Sequence, residues 1–359
     1  MTPLDLDANA TEPLRPEARD ALLRALATGG NPSSVHGGGR AARRILEEAR
    51  RAVAGRFGGE VVFTSGGTEA NALALHALSP GRRVLLGATE HAAVRAAAPQ
   101  GASALPVHGD GTLDLAALEA ALRGGPPALV CAMAANNETG VLHPLAEVAA
   151  LCRSHGALLH VDAVQAARLS AELPGNTLAL SGHKLGGPPG AGALVLRGGL
   201  ALTPLIPGGG QEQGRRGGTE ALPAIAGLAA ALLAPYDAPR LASLRDAVEA
   251  ALGEGVVIAG KDAPRLPNTV LAVLPGVAAE TVVIALDLAG VRVSAGAACS
   301  SGKVARSHVL EAMGFGEDAG SGIRLSLPWN APDDAPERFR RAWEGVRARL
   351  SSRRPALAT

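Results

Sequence analysis

Lysine is almost never buried without a partner, so a lysine is read first as a solvated surface residue. Lys184 resists that reading. It stands in SGHKLGGPPGAG, directly after His183 and before a run too rich in glycine and proline for regular structure. The apolar run Leu178 to Leu180 ahead of it predicts a short buried strand. The amine then sits at the strand's carboxyl end, where open α/β sheets keep their ligands. A second ionisable group, Asp162 in HVDAVQAA, closes another apolar strand. Alone it could cap the next helix; beside a cationic ring nitrogen its carboxylate would form an ion pair. The third element is FTSGGTEANALALHAL, in which a strand runs through Ser65, Gly66, Gly67 and Thr68 into a helix. Glycines let the backbone approach a ligand, and a helix start offers unpaired amides and the positive end of a dipole, which together suit a phosphate. The turn matches neither the P-loop nor the dinucleotide GxGxxG pattern.

Positioning these groups falls to the alternating segments between about Arg40 and Arg197. RAARRILEEARRAVAGRF carries Ile45, Leu46, Ala49, Val53 and Phe57 near a helical period. Strands are predicted at VVFTS, RVLLGA, ALVCAMA, ALLHVDA, TLALS and GALVLR, with helices such as LDLAALEAALR and PLAEVAALCRSHG between them. Short apolar strands separated by helices predict an α/β fold whose mostly parallel sheet is covered on both faces. After IPGGGQEQGRRGGTEALP a long alanine-rich helix follows, and near Tyr236 the pattern changes to strands GVVIAG, NTVLAVL, VRVSAG and GIRLSLP among helices. That is the pattern of a smaller α+β domain. The large domain is placed at 15–235, and the small one at 236–359 with residues 1–14 packed on it.

With 359 residues, 47% of them apolar, the chain can fill a substantial core. A formal net charge of +1 offers no global electrostatic case for nucleic acid or a membrane surface, and an aromatic content of 2% offers no platform for stacking bases. MTPLDLDANA lacks a signal-peptide profile and no run of about 18 purely apolar residues suggests a membrane span, so a cytoplasmic protein is expected. The three cysteines, Cys131, Cys152 and Cys299, have no CxxC spacing. This argues against a disulfide framework and against a cysteine metal site.

A phosphate cradle, a buried strand-end aspartate and a strand-end lysine together meet the needs of pyridoxal 5'-phosphate. The lysine condenses with its aldehyde, and the aspartate keeps the pyridine nitrogen protonated so that the ring can draw off electrons. With those residues in place, TSGGTEANALAL, TEHAAV, NNETGVLHPL, HVDAVQ, SGHKLGGPPGAGAL, GGGQEQGRRGGTEALP, SAGAACSSG and GIRLSLP resemble, in order, the motifs of the cysteine desulfurases of the NifS/IscS type. The resemblance runs from about Leu4 to Leu327. It implies the class V aminotransferase fold, fold type I of the pyridoxal-phosphate enzymes, with a seven-stranded-type sheet between helices.

The resemblance also implies roles. Lys184 would hold the cofactor, Asp162 would pair with its ring nitrogen, and His91 would stack over the ring and relay protons. Asn137 and Gln165 would contact the side of the ring hydroxyl, and Gly67, Thr68, Ser181 and His183 would surround the phosphate. Thr219 would reach the phosphate of the neighbouring subunit, which implies a homodimer. Asn137 and Arg324 would face the carboxylate of the substrate L-cysteine, for which a planar bidentate donor is suited. His91, on its residues alone, also reads as a helix-start or surface histidine.

Cys299, in SAGAACSSGKVARSHVL, lies in a small-residue segment without an apolar period and reads as an exposed loop residue. By the resemblance it would take the substrate's sulfur as a persulfide and pass it to a sulfur acceptor or iron-sulfur scaffold protein. Cys131 and Cys152 fall in a strand and a helix and read as small buried hydrophobes. A selenocysteine lyase or another carbon-sulfur lyase on the same fold is the nearest alternative, and a non-catalytic sulfur-assembly adaptor a more distant one. Pro328, Trp329 and Asn330 depart from the family pattern.

Overall fold

The computed structural model describes residues 3–170, 172–296 and 306–352. Strand β1 (Leu4–Asp5) is followed by helices α1 (Pro16–Thr28) and α2 (Gly37–Phe57). Alternation then sets in, with β2 (Glu60–Thr64), α3 (Gly67–Leu78), β3 (Arg83–Gly87), α4 (Ala92–Ala97), β4 (Ser103–Leu105), α5 (Leu115–Leu122), β5 (Ala128–Met133), α6 (Leu145–Ser154) and β6 (Leu158–Asp162). Strands β7 (Thr177–Ser181) and β8 (Gly192–Leu196) come next, then helices α7 (Leu222–Leu233) and α8 (Ala238–Leu252). The remainder comprises β9 (Val257–Ala259), β10 (Thr269–Val273), α9 (Ala279–Leu288), β11 (Val291–Arg292), β12 (Ser294–Ala295), α10 (His308–Ala312), β13 (Gly322–Ser326) and α11 (Ala335–Ser352).

Seven strands form one sheet in the order β2-β8-β7-β6-β5-β3-β4. Strand β8 is antiparallel to both neighbours, and the other pairings are parallel. The reason lies in the connection. Parallel neighbours need a crossover of about a dozen residues or more, and the stretch from Gly182 to Ala191 only turns the chain back. Helices cover both faces, so every residue of β5, β7 and β8 is buried. The period of two sorts the side chains. Phe63, Leu85, Val130, Leu159 and Leu178 pack in one core with α1, α2, α5, α6 and α7, while Val62, Leu194, Leu86 and Leu129 pack against α3 and α4. On α2 the buried stripe is Ala42, Leu46, Ala49, Val53 and Phe57, with Ile45 only partly buried at its edge.

A second sheet, antiparallel in the order β12-β13-β10-β9, holds its own core with α8, α9 and α11. Phe339 and Trp343 stack there with ring centroids 6.1 Å apart, and the Trp343 indole donates to the Leu252 carbonyl at 2.9 Å. The segment VRVSAG, expected as one strand, divides. Val291–Arg292 pairs in parallel with β1, and Ser294–Ala295 pairs with β13. Two partners on different sides cannot be served by one straight strand. The edge strand β4 was not legible, because Ser103 and Ala104 are exposed and show no alternation.

Helices α7 and α8 meet at an angle of 83°, at a break that contains Pro235. Among the described residues no single helix is long and apolar enough to cross a membrane. The departure at Trp329 has a structural role. Its indole donates to the Pro13 carbonyl at 2.9 Å and the Arg15 guanidinium lies 4.6 Å above its ring. Arg15 in turn donates to the carbonyls of Leu185 and Pro235. One tryptophan therefore ties the amino-terminal segment to both sheets' surroundings, immediately beside the turn that carries Lys184.

Candidate active site

A cavity of about 980 Å³ opens at the carboxyl ends of the parallel strands. Lys184, Asp162, His91, Asn137, Gln165 and Arg324 line it, as do Gly67, Thr68, Ser181 and His183. Residues separated by more than 250 positions are thus brought to one space by the sheet order. Lys184 ends a single helical turn that follows β7. Its Nζ donates to the Asn9 carbonyl at 2.5 Å and the Ala10 carbonyl at 2.8 Å. Burial, with Arg324 nearby, lowers its ammonium to about 8 against the opposing pull of Asp7 and Asp162.

Asp162 is the last residue of β6 and is buried. Its Oδ1 accepts from the Val164 amide at 3.0 Å and its Oδ2 from Asn71 Nδ2 at 2.7 Å. No helix follows Asp162, so it caps none: the Val164 bond closes a local turn, and the residue lines the cavity. Burial pushes its carboxyl up, opposed by those two hydrogen bonds, His91 and Lys184. Behind Asp162 runs a chain of fixed direction. Asn71 donates to Asp162, so its Oδ1 is an acceptor, and His160 Nε2 donates to it at 2.9 Å. His160 Nδ1 then accepts from the Thr177 hydroxyl at 2.8 Å. His160 is wholly buried, and burial depresses its imidazolium to about 3, so the ring stays neutral and the chain keeps its polarity.

Helix α3 begins at Gly67 with no side chain capping it, and a Cβ on Gly67 would stand 2.7 Å from Val164 Cγ2 and 3.3 Å from Ser181 Cβ. Only glycine lets this helix start sit so close to the ends of β6 and β7. Thr68 follows on α3, and His183 Nδ1 lies 3.0 Å from the Thr11 hydroxyl, which itself donates to the Ala10 carbonyl. The hydroxyl therefore accepts from His183. His91 caps α4, with Nδ1 accepting from the Ala93 amide at 3.1 Å. The helix-start reading of this residue holds, and the capping imidazole also lines the cavity. Arg324, in β13, donates to Asp7 at 2.7 Å and to the Asn137 carbonyl at 3.2 Å, while its buried Nε has no partner among the described residues.

Sequence reasoning missed four of the residues that shape this site. Asn9 is a hub. Its carbonyl accepts from Lys184 and from Gln165 Nε2, and its side chain donates to Thr269 at 2.9 Å and to the Asn137 carbonyl at 3.2 Å. Asp7 holds Arg324. Glu90, beside His91 in TEHAAV, is buried, accepts from the Met133 amide at 2.5 Å and leaves its Oε2 without a partner among the described residues. Burial and nearby Asp162 raise its carboxyl to about 8. Glu138, in NNETG, is raised by burial to about 7 and accepts from the Ser307 hydroxyl at 2.6 Å. The two glutamates lay inside motifs already noted, but Thr89 and His91 flank one and Asn137 and Thr139 the other, so no local pattern signalled their burial. Nothing around Asp7 and Asn9 pointed to the cavity.

The model of the class V aminotransferases matches residues 5–335. The chain belongs to that family. A cysteine desulfurase of Cereibacter sphaeroides is 45% identical over 348 residues, covering 90% of this chain and 90% of the relative. An IscS-like cysteine desulfurase of Mycobacterium tuberculosis is 37% identical and covers 98% of both chains. Among solved structures, a NifS-like protein from Rickettsia africae matches with a TM-score of 0.89 and 32% identity, covering 96% of this chain and 99% of its own. The structure of SspA in complex with cysteine matches with a TM-score of 0.79 and 26% identity over 90% of this chain and 99% of that one. Within the class V aminotransferases the chain is therefore of the cysteine desulfurase type, and the α/β reading with a seven-stranded sheet between helices stands.

In this class V aminotransferase Thr219 is exposed and does not line the cavity of its own chain. It follows a segment built around Glu212, whose φ of 48° is held by two bonds from Arg50 and one from the Phe63 amide. Cys299 lies outside the described residues. Cys131 and Cys152 are buried in the core, as expected of small hydrophobes, and burial pushes the Cys131 thiol far up and that of Cys152 to about 12.

Proposed function

We propose that the chain is a pyridoxal-phosphate-dependent cysteine desulfurase. L-cysteine and the Cys299 thiol give L-alanine and a Cys299 persulfide, whose outer sulfur passes to an acceptor or scaffold protein for iron-sulfur cluster or other sulfur-cofactor assembly. It works as a cytoplasmic homodimer in which Thr219 completes the neighbouring subunit's site. The observation that carries this reading is the meeting of Lys184, Asp162 and Arg324 in one cavity, in a chain whose other two cysteines are buried.

The residues fit the cofactor. An amine lowered to about 8 has an appreciable neutral fraction near neutral pH, as condensation with an aldehyde requires. The uncapped start of α3, brought close by Gly67, suits a phosphate, with Thr68, Ser181 and His183 beside it. Asp162, kept in place by Asn71 and Val164, suits a pyridinium nitrogen. Bound there, the cofactor supplies an electron sink for bonds at the substrate's Cα. Arg324 is the carboxylate receptor: the substrate carboxylate takes the place of Asp7 on its guanidinium, and Asn137 stays beside it. Gln165 steadies the ring side through its bond to Asn9.

The test is incubation of the purified protein with cysteine, measuring alanine and protein-bound persulfide together, with selenocysteine in parallel. Equal amounts of alanine and persulfide in the first turnover are expected. Alanine without persulfide would point to a lyase that releases sulfide directly, and neither product would refute the reading.

A further inference from the structure

A thiol that reacts in this cavity must first lose its proton, and a proton acceptor needs a free lone pair. Besides His183, whose Nδ1 donates to Thr11 and which the cofactor reading places at the phosphate, two histidines line the space, His91 on the capping turn of α4 and His308 at the start of α10. Their hydrogen bonds assign opposite roles. His91 Nδ1 already accepts from the Ala93 amide at 3.1 Å, so in the neutral ring the proton is on Nε2. His308 Nε2 lies 3.1 Å from the Glu90 carbonyl, which can only accept, so this nitrogen must carry the proton. Its Nδ1 then holds the lone pair, and among the described residues it has no hydrogen-bond partner.

We propose that His308 is the base that takes a thiol proton in this cavity and that His91 acts there as a hydrogen-bond donor. The S–H proton moves to His308 Nδ1, leaving a thiolate and an imidazolium, with no change in oxidation state. The other acids lining the cavity are committed: Glu69 pairs with Arg216 at 2.8 Å, Glu138 accepts from Ser307, and Asp162 is held by Asn71 and Val164. Facing His308 are His91 and Arg95 from α4 and Glu311 from its own helix, and burial with the Arg95 charge lowers its imidazolium from the ordinary value. The ring is therefore neutral and able to accept at neutral pH. This assignment rests on the desulfurase reading.

The discriminating variant is His308→Gln, because the glutamine amide reproduces the Nε2 donor to the Glu90 carbonyl while removing the basic nitrogen. Expected are unchanged cofactor absorbance and borohydride labelling of Lys184, a fall in kcat/KM for cysteine of about 10²-fold or more, and loss of an acidic limb lying below about pH 6.5. Imidazole ¹⁵N shifts of the wild-type holoenzyme should show His308 protonated on Nε2, whatever the fate of the variant. Wild-type kcat/KM and pH profile in His308→Gln, or an Nδ1-protonated His308, would overturn the proposal and leave the desulfurase reading untouched. Failure of the wild-type protein to form alanine from cysteine would remove both.

Discussion

Asp162 closes β6 and Glu90 follows β3; burial raises both carboxyls, and the two differ in how far their surroundings oppose it. Asp162 accepts two hydrogen bonds and has His91 and Lys184 nearby, all of which favour its charged form. Asp162→Asn keeps the shape and loses the charge. It should leave Lys184 able to trap the cofactor, read by borohydride labelling, while alanine formation falls further than labelling does. Equal loss of labelling and activity would contradict the assigned role. Among the described residues Glu90 has one hydrogen bond and an unpartnered oxygen, so burial holds it neutral with a carboxyl at about 8. Its folded value lies above its unfolded value, so its contribution to stability is complete below about pH 4.5 and is lost as pH rises through about 8. Glu90→Gln, which cannot ionise, should therefore show a flatter Tm from about pH 5 to about pH 9 than the wild-type protein. Parallel curves would show that Glu90 does not titrate there.

At the scale of elements, the site depends on how closely the start of α3 approaches β6 and β7. Gly67→Ala would put a methyl 2.7 Å from Val164 and 3.3 Å from Ser181, so one of the three elements must shift. The expected cost is about 1–3 kcal/mol of stability, as for other overpacked positions. Cofactor affinity, measured by fluorescence titration of the apoprotein, should fall as well, because the amides at the helix start move with the backbone. A stable variant with unchanged affinity would exclude α3 as the phosphate site. The antiparallel return of β8 serves the same geometry, since it leaves the one-turn helix of Lys184 in the short connection instead of a crossover helix.

At the scale of the whole molecule, burial sets the reactivity of Cys131 and Cys152. Cys131 and Cys152 sit in the core with raised thiols, and a thiol that stays protonated is a poor nucleophile. Cys131→Ala and Cys152→Ala should keep persulfide formation and lose on the order of 1 kcal/mol of stability. Cys299→Ser should retain cofactor and lose persulfide, with peptide mapping as the readout. Persulfide on Cys131 or Cys152 would remove Cys299 from the mechanism. On the proposed shared site, the exposed Thr219, which does not line the cavity of its own chain, would serve a neighbouring subunit in a two-fold assembly. Light scattering of the active protein should give a dimer, and a catalytically competent monomer would contradict the shared site.

The amino-acid sequence by itself determined the alternation of strands and helices, because burial on both faces of a sheet demands continuous apolar runs that are visible locally. It also determined Lys184, Asp162 and Gly67, whose types are informative at strand ends and helix starts. The tertiary structure alone decided the partners that arrive from far along the chain. Asn9 meets Lys184 across 175 positions and Asp7 meets Arg324 across 317, and neither amino-terminal residue has a local pattern that marks it. The same holds for the histidine tautomers. Which nitrogen of His91, His160 or His308 carries the proton follows from the partner each ring meets in space, and no spacing in the sequence encodes that partner.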